Sequence, residues 1–155
     1  MNGSRKARLL VLVVATVAAL LTAPAAAGAA PPGTIRSELN NLCVDIEGGS
    51  YAAGARVITW DCHGNANQRW YWDGDTIRSR LNHLCLDIAG GDYARGAGII
   101  TWPCHGNANQ SWYWYGDTIR SSLNNLCLDI EGGDYARGAR LITWTCHGNA
   151  NQAWY

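Results

Sequence analysis

Beyond residue 30, the sequence has no segment with the 3.6-residue apolar period of an amphipathic helix, which excludes helical and mixed α/β architectures. It also lacks a basic face. Lysine does not occur after residue 6, and the nine cations of residues 31–155 are arginines scattered among twelve carboxylates, a net charge of −3. Nucleic acid and anionic membrane both need clustered positive charge, so neither is an expected partner. The longest apolar run, residues 9–21, is 13 residues, short of the roughly 20 that a bilayer core requires. The chain contains no C-x-x-C or H-x-x-x-H spacing of the kind that gathers zinc ligands in one neighbourhood.

What stands at the N-terminus is an export signal. Arg5, Lys6 and Arg8 form a positive n-region, the apolar run follows, and the small residues Ala25, Ala27 and Ala29 suit signal peptidase. Residues 1–30 are expected to be removed by cleavage between 25 and 30, leaving a secreted, extracellular chain of residues 31–155 that does not insert in a membrane. Six cysteines in an exported chain make disulfides the default.

The remainder is a threefold repeat. Cys43, Cys85 and Cys127 are 42 residues apart, as are Cys62, Cys104 and Cys146, and the segments 34–74, 76–116 and 118–155 share TIRS, LN, LC, DI, GG, ITW and CHGNANQ. In the first copy, residues 34–37, 42–46, 56–60 and 68–72 read as short strands, rich in β-branched and aromatic side chains and bounded by Asn, Gly or Asp. Gly48, Gly49 and Gly54 mark turns needing positive φ. Propellers normally need four blades or more, and a three-repeat solenoid leaves its ends uncapped. A closed threefold arrangement is the economical answer, each unit giving two strands to a barrel and two to a cap, twelve in all.

The repeats resemble those of ricin-B-type lectins. The resemblance rests on Leu42-Cys43-Val44-Asp45-Ile46, on Ile58-Thr59-Trp60-Asp61-Cys62, and on a Q-x-W signature present three times, as Gln68-Arg69-Trp70, Gln110-Ser111-Trp112 and Gln152-Ala153-Trp154. The spacing looks most like that of the xylan- and galactoside-binding modules of secreted bacterial hydrolases. The family fold is the all-β β-trefoil. Six cysteines allow 15 pairings; threefold symmetry and the family pattern both favour Cys43–Cys62, Cys85–Cys104 and Cys127–Cys146.

By resemblance, each lobe carries one sugar pocket. In the first, Trp60 is the stacking platform, Asp45 accepts a pair of hydroxyls, His63 and Asn67 add polar contacts, and Gln68 braces the aspartate. Asp87, Trp102, His105, Asn109 and Gln110 repeat the set, as do Asp129, Trp144, His147, Asn151 and Gln152. Such pockets imply a lectin, a monomer without cofactor or metal, with galactose- or xylose-containing glycans as partners. One departure bears on specificity: where many members carry Gln two residues before the stacking ring, this chain has Ile58, Ile100 and Ile142. Trp70, Trp112 and Trp154 read as core, and Trp72 and Trp114 as packing between lobes.

Two other classes fit less well. An enzyme needs a general acid and base close together, whereas each lobe offers the same lone aspartate and Asp61 is replaced by Pro103 and Thr145. A protein-binding trefoil, such as a protease inhibitor or a toxin's receptor-binding subunit, normally presents one distinctive loop; here the loops are what the copies share.

Overall fold

A computed structural model describes residues 32–155; the signal reading of residues 1–30 falls outside them. Ten strands of four residues run in chain order: β1 (Cys43–Ile46), β2 (Val57–Trp60), β3 (Trp70–Asp73), β4 (Thr76–Ser79), β5 (Cys85–Ile88), β6 (Ile99–Trp102), β7 (Trp112–Tyr115), β8 (Thr118–Ser121), β9 (Cys127–Ile130) and β10 (Leu141–Trp144). All pairings are antiparallel, β1 with β2, then β3-β4-β5-β6 and β7-β8-β9-β10. The architecture is a β-trefoil.

The hairpins β1–β2, β5–β6 and β9–β10 form the cap. They meet around the threefold axis, where the amides of Thr59, Thr101 and Thr143 donate to the carbonyls of Ala139, Ala55 and Ala97. The barrel ring runs through the other strands, with Trp70 N–H donating to Gly33, Trp112 to Asp75 and Trp154 to Asp117. Of the expected twelve strands ten are present among the described residues, and the segments in the places of the other two pair only through the isolated bridges Arg36–Cys43 and Ser37–Trp154. The ring closes between the chain's two ends, where Ser37 bridges Trp154 and Arg36 exchanges both backbone hydrogen bonds with Tyr155. Only one lobe's worth of hairpin is therefore made from separate ends of the chain, too short there to count as strands.

The expected strand at 68–72 begins two residues late. Ala66–Gln68 is a 3₁₀ turn in the first lobe, with copies at Ala108–Gln110 and Ala150–Gln152. The cause is the side chain of Gln68, which is fully buried and satisfies loop amides, so the backbone curls around it instead of extending.

Strand alternation divides each hairpin into two faces. Val44, Ile46 and Val57 point into one apolar cluster with Ile77, Leu86, Ile88, Ile119, Leu128, Ile130 and Leu141. Trp70, Trp112 and Trp154 belong to that core, each indole N–H donating to a buried carbonyl, of Val44, Leu86 and Leu128. Trp72 and Trp114 touch across two lobes, ring centres 6.4 Å apart. All six cysteines pair within their own repeats, Cys43–Cys62, Cys85–Cys104 and Cys127–Cys146, with Cα atoms 5.2 Å apart in each.

Candidate functional site

The outward face of each cap hairpin carries the candidate site. In the β1–β2 register Cys43 lies opposite Trp60 and Asp45 opposite Ile58, so these four share the face turned away from the core. Cys62 then ties the segment after β2 back to β1, laying His63 and the 3₁₀ turn over the same face. That turn sets Asn67 and Gln68 side by side above Asp45.

The aspartate is held from one side only. Gln68 Nε2 donates to Asp45 Oδ2 at 2.7 Å and to the Asp61 carbonyl at 2.9 Å, while its Oε1 accepts the amides of His63 and Gly64. Asn67 Nδ2 donates to both Asp45 oxygens, at 3.1 and 3.0 Å. His63 Nε2 stands 3.5 Å from Asp45 Oδ2, and its Nδ1 accepts the Asn65 amide. The copies keep this order: Gln110 and Gln152 reach Asp87 and Asp129 at 2.7 and 2.5 Å, Asn109 and Asn151 at 3.1 Å, and His105 and His147 stand 3.4 Å away.

Each arrangement opens into a cavity, of about 530 Å³ in the first and third lobes and 460 Å³ in the second. All fifteen residues expected at the pockets come together in three sets of five. Four of each set line the cavity, and Gln68, Gln110 and Gln152 act from behind the aspartates without reaching it. Ile58, Ile100 and Ile142 form part of the lining.

Burial raises the Asp45, Asp87 and Asp129 carboxyls above their ordinary value of 3.8, and the hydrogen bonds from Gln68, Gln110 and Gln152 oppose the rise. Between 3.8 and the raised value, the folded chain binds more protons than the unfolded one, so these groups favour the fold increasingly as pH falls through that window. An acceptor carboxylate is lost over the same window. Acidification should thus weaken any ligand that these carboxylates hold as acceptors while these three groups stabilise the fold. Calorimetric sugar titrations and denaturant midpoints measured in one pH series test this; binding that persists unchanged below pH 3.8 contradicts it.

The sequence model of the ricin-type beta-trefoil lectin domain matches residues 31–154. The chain belongs to that lectin family. Among solved structures, this ricin-type lectin is similar to the C-half of an earthworm R-type lectin in complex with GalNAc, at 35% identity and a TM-score of 0.69, covering 79% of this chain and 94% of that one. It is similar to ThreeFoil, a designed threefold-symmetric protein, at 25% identity and a TM-score of 0.73, covering 78% and 94%. The β-trefoil lectin of the Vibrio vulnificus hemolysin/cytolysin, with N-acetyl-D-lactosamine bound, matches at 33% identity and a TM-score of 0.63, covering 79% and 90%. The likeness to modules of bacterial hydrolases is looser.

One part of each pocket was not foreseen. A loop from the neighbouring lobe reaches its ring: an ideal Cβ on Gly138 of the third lobe would lie 3.6 Å from the Trp60 ring, one on Gly54 3.6 Å from Trp102, and one on Gly96 3.5 Å from Trp144, and Gly138 and Gly96 also line the first and third cavities. With φ between +84° and +91° at these three positions, the loop favours glycine so close to the ring. Asn65, Asn107 and Asn149 also line the cavities. The 42-residue recurrence of these glycines and asparagines was the signal available in the sequence.

Proposed function

We propose that this lectin is a secreted, multivalent carbohydrate-binding protein that holds sugars of galactoside or xyloside type in three pockets and does not transform them. The observation that carries this reading is a buried carboxylate clamped by amides on one side and open on the other to a cavity edged by an indole ring, present three times. A pyranose has an apolar face of C–H bonds and a rim of hydroxyls, and this arrangement meets both. Covering about 50 Å² of the apolar face gives about 1.3 kcal/mol, and hydrogen bonds to a charged acceptor add about 1.5–3 kcal/mol each before the cost of immobilising the ligand. Weak sites follow, with Kd of ~0.1–10 mM each. The GalNAc and N-acetyllactosamine in the two lectin relatives support the galactose-type reading. Three disulfides and the signal pattern support export to an oxidising compartment.

A glycan and polysaccharide binding screen tests the proposal. Binding to galactose- or xylose-containing glycans without release of reducing ends is the expected result; inhibition of a protease with no glycan bound would replace it with the protein-binding reading.

Specificity hangs on Ile58, Ile100 and Ile142. An aliphatic wall makes no hydrogen bond to a hydroxyl, so the pockets should separate hexopyranosides from pentopyranosides only weakly. Ile→Gln at the three positions should strengthen galactoside binding several-fold, as one added hydrogen bond of about 1 kcal/mol implies. Calorimetry with methyl galactoside and methyl xyloside reads it, and an unchanged ratio removes the role given to this position.

A further inference from the structure

The three pockets match in their floors and differ at their edges, on the wall at Glu47, Ala89 and Glu131 and on the side nearest the neighbouring lobe. On the loop that each lobe lends its neighbour, the residue before the glycine is Ala53, Arg95 or Arg137. The Arg137 guanidinium carbon lies 5.4 Å from the centre of the Trp60 ring, and that of Arg95 lies 5.2 Å from the centre of Trp144. Trp102 has the Ala53 loop instead. The residue after each ring varies as well, as Asp61, Pro103 and Thr145. In the first pocket Asp61 neutralises the cation, its Oδ2 2.8 Å from Arg137 Nη1. In the third, Thr145 brings no charge, and exposed Arg95 has the face of Trp144 as its only partner among the described residues.

We propose that the third pocket, lined by Asp129, Trp144, His147 and Asn151 and with Arg95 of the second lobe beside its ring, selects acidic glycans: sugars lying on Trp144 with a carboxylate or sulfate substituent directed to Arg95. The inference deepens the reading of these pockets as sugar sites and rests on it. A guanidinium offers a planar fork of donors that fits either anion. Among the described residues Arg95 is the one guanidinium at this pocket with no acidic partner. Asp129 is the acceptor at the floor, His147 stands beside it, and Glu131 on the wall is paired with Arg140 at 3.6 Å. The negative net charge of the chain acts on all three pockets, so the first and second serve as controls within one molecule.

The test uses single-pocket proteins. Asp45→Asn with Asp87→Asn leaves the third pocket, and Asp87→Asn with Asp129→Asn leaves the first. Each is titrated with neutral galactose- and xylose-based oligosaccharides and with their uronic-acid and sulfate-ester counterparts, the two anions in separate arms. The third-pocket protein should bind at least one acidic series roughly three- to five-fold more tightly at low salt, an advantage lost at about 1 M salt as the Debye length shrinks to about 3 Å. Arg95→Gln should bring the acidic-to-neutral ratio to that of the first-pocket protein. Asp61→Asn, by freeing Arg137, should give the first pocket the same preference. If the double variants do not fold, the indole N–H signals of Trp60, Trp102 and Trp144 report the same ratios in the native protein. Equal affinity for acidic and neutral sugars in the third pocket, or a preference that survives Arg95→Gln, overturns the proposal while leaving the pockets as sugar sites. Failure of every sugar to bind there overturns both.

Discussion

With Asp45, Asp87 and Asp129 all changed to Ala, binding to free sugar and to polysaccharide should vanish while the circular dichroism spectrum is retained. The steps toward that end are unequal. A domain of this length has a radius of gyration of roughly 14 Å, so pockets near its rim lie about 24 Å apart, too far for one monosaccharide to touch two. Asp45→Ala should therefore lower the stoichiometry for free sugar from three towards two and leave the remaining affinity unchanged. Adding Asp87→Ala should reduce polymer binding by about 10²-fold or more, because the last pocket loses the effective concentration its neighbours supplied. The fold should survive because Gln68 keeps its bonds to the Asp61 carbonyl and to two loop amides, and the burial cost of the carboxylate disappears with it. Asp→Asn at the same positions keeps one acceptor oxygen for the glutamines and removes the charge together with the second acceptor; it should abolish binding equally. Full polymer binding by a folded triple variant would reduce these aspartates to turn residues and misplace the pockets.

Reduction of the three disulfides should abolish cooperative folding. Each closes a loop with a sequence separation of 19, and a cross-link of that span contributes about 3 kcal/mol, through a mechanism that is model-dependent. Three together are comparable to the 5–15 kcal/mol, roughly, that a whole domain has to spare. Among the described residues every strand has only four residues, and the apolar cluster draws on all three lobes. Cys43, Cys85 and Cys127 are fully buried, whereas Cys104 is exposed, so the second lobe's bond should be the first to yield to a reductant. Thiol titration should find none in the native protein and six after unfolding and reduction. Two or more free thiols in the native protein, or a reduced protein with an unchanged melting transition, would sink this account. Because each bond also draws its histidine over the aspartate, loss of Cys85–Cys104 alone should weaken the second pocket before the domain melts.

The cap hairpins and their pairings were legible because they depend on near neighbours in sequence. Cys43 and Asp45 alternate with Val44 and Ile46, which is enough to send the first two outward and the second two into the core. Gln68 misled because its amide was read as part of a strand, when its burial under the loop makes it the centre of a turn. The strand count failed at Ser37 and Trp154, where pairing depends on two chain ends meeting. The neighbour's loop was legible only as a glycine recurring every 42 residues, at Gly54, Gly96 and Gly138, and not in the ring it meets. Whether Gly54 lies against Trp102 or Trp144 depends on the hand in which the ring closes, which belongs to the whole assembly and to no local pattern. The same holds for Arg95 and Arg137, whose importance lies in a ring and an acid more than 40 residues away in either direction.

The loan of Gly138 to Trp60, Gly54 to Trp102 and Gly96 to Trp144 makes ligand recognition a property of assembly. A solitary 42-residue ancestor, however well it folded, would own an aspartate and an indole with one wall missing. Each pocket takes that wall from one neighbour, so two adjoining copies complete one pocket and a closed ring of three completes all three. Once the copies are joined, each can diverge at its borrowed wall without losing its own floor, and that is where Ala53, Arg95 and Arg137 now differ.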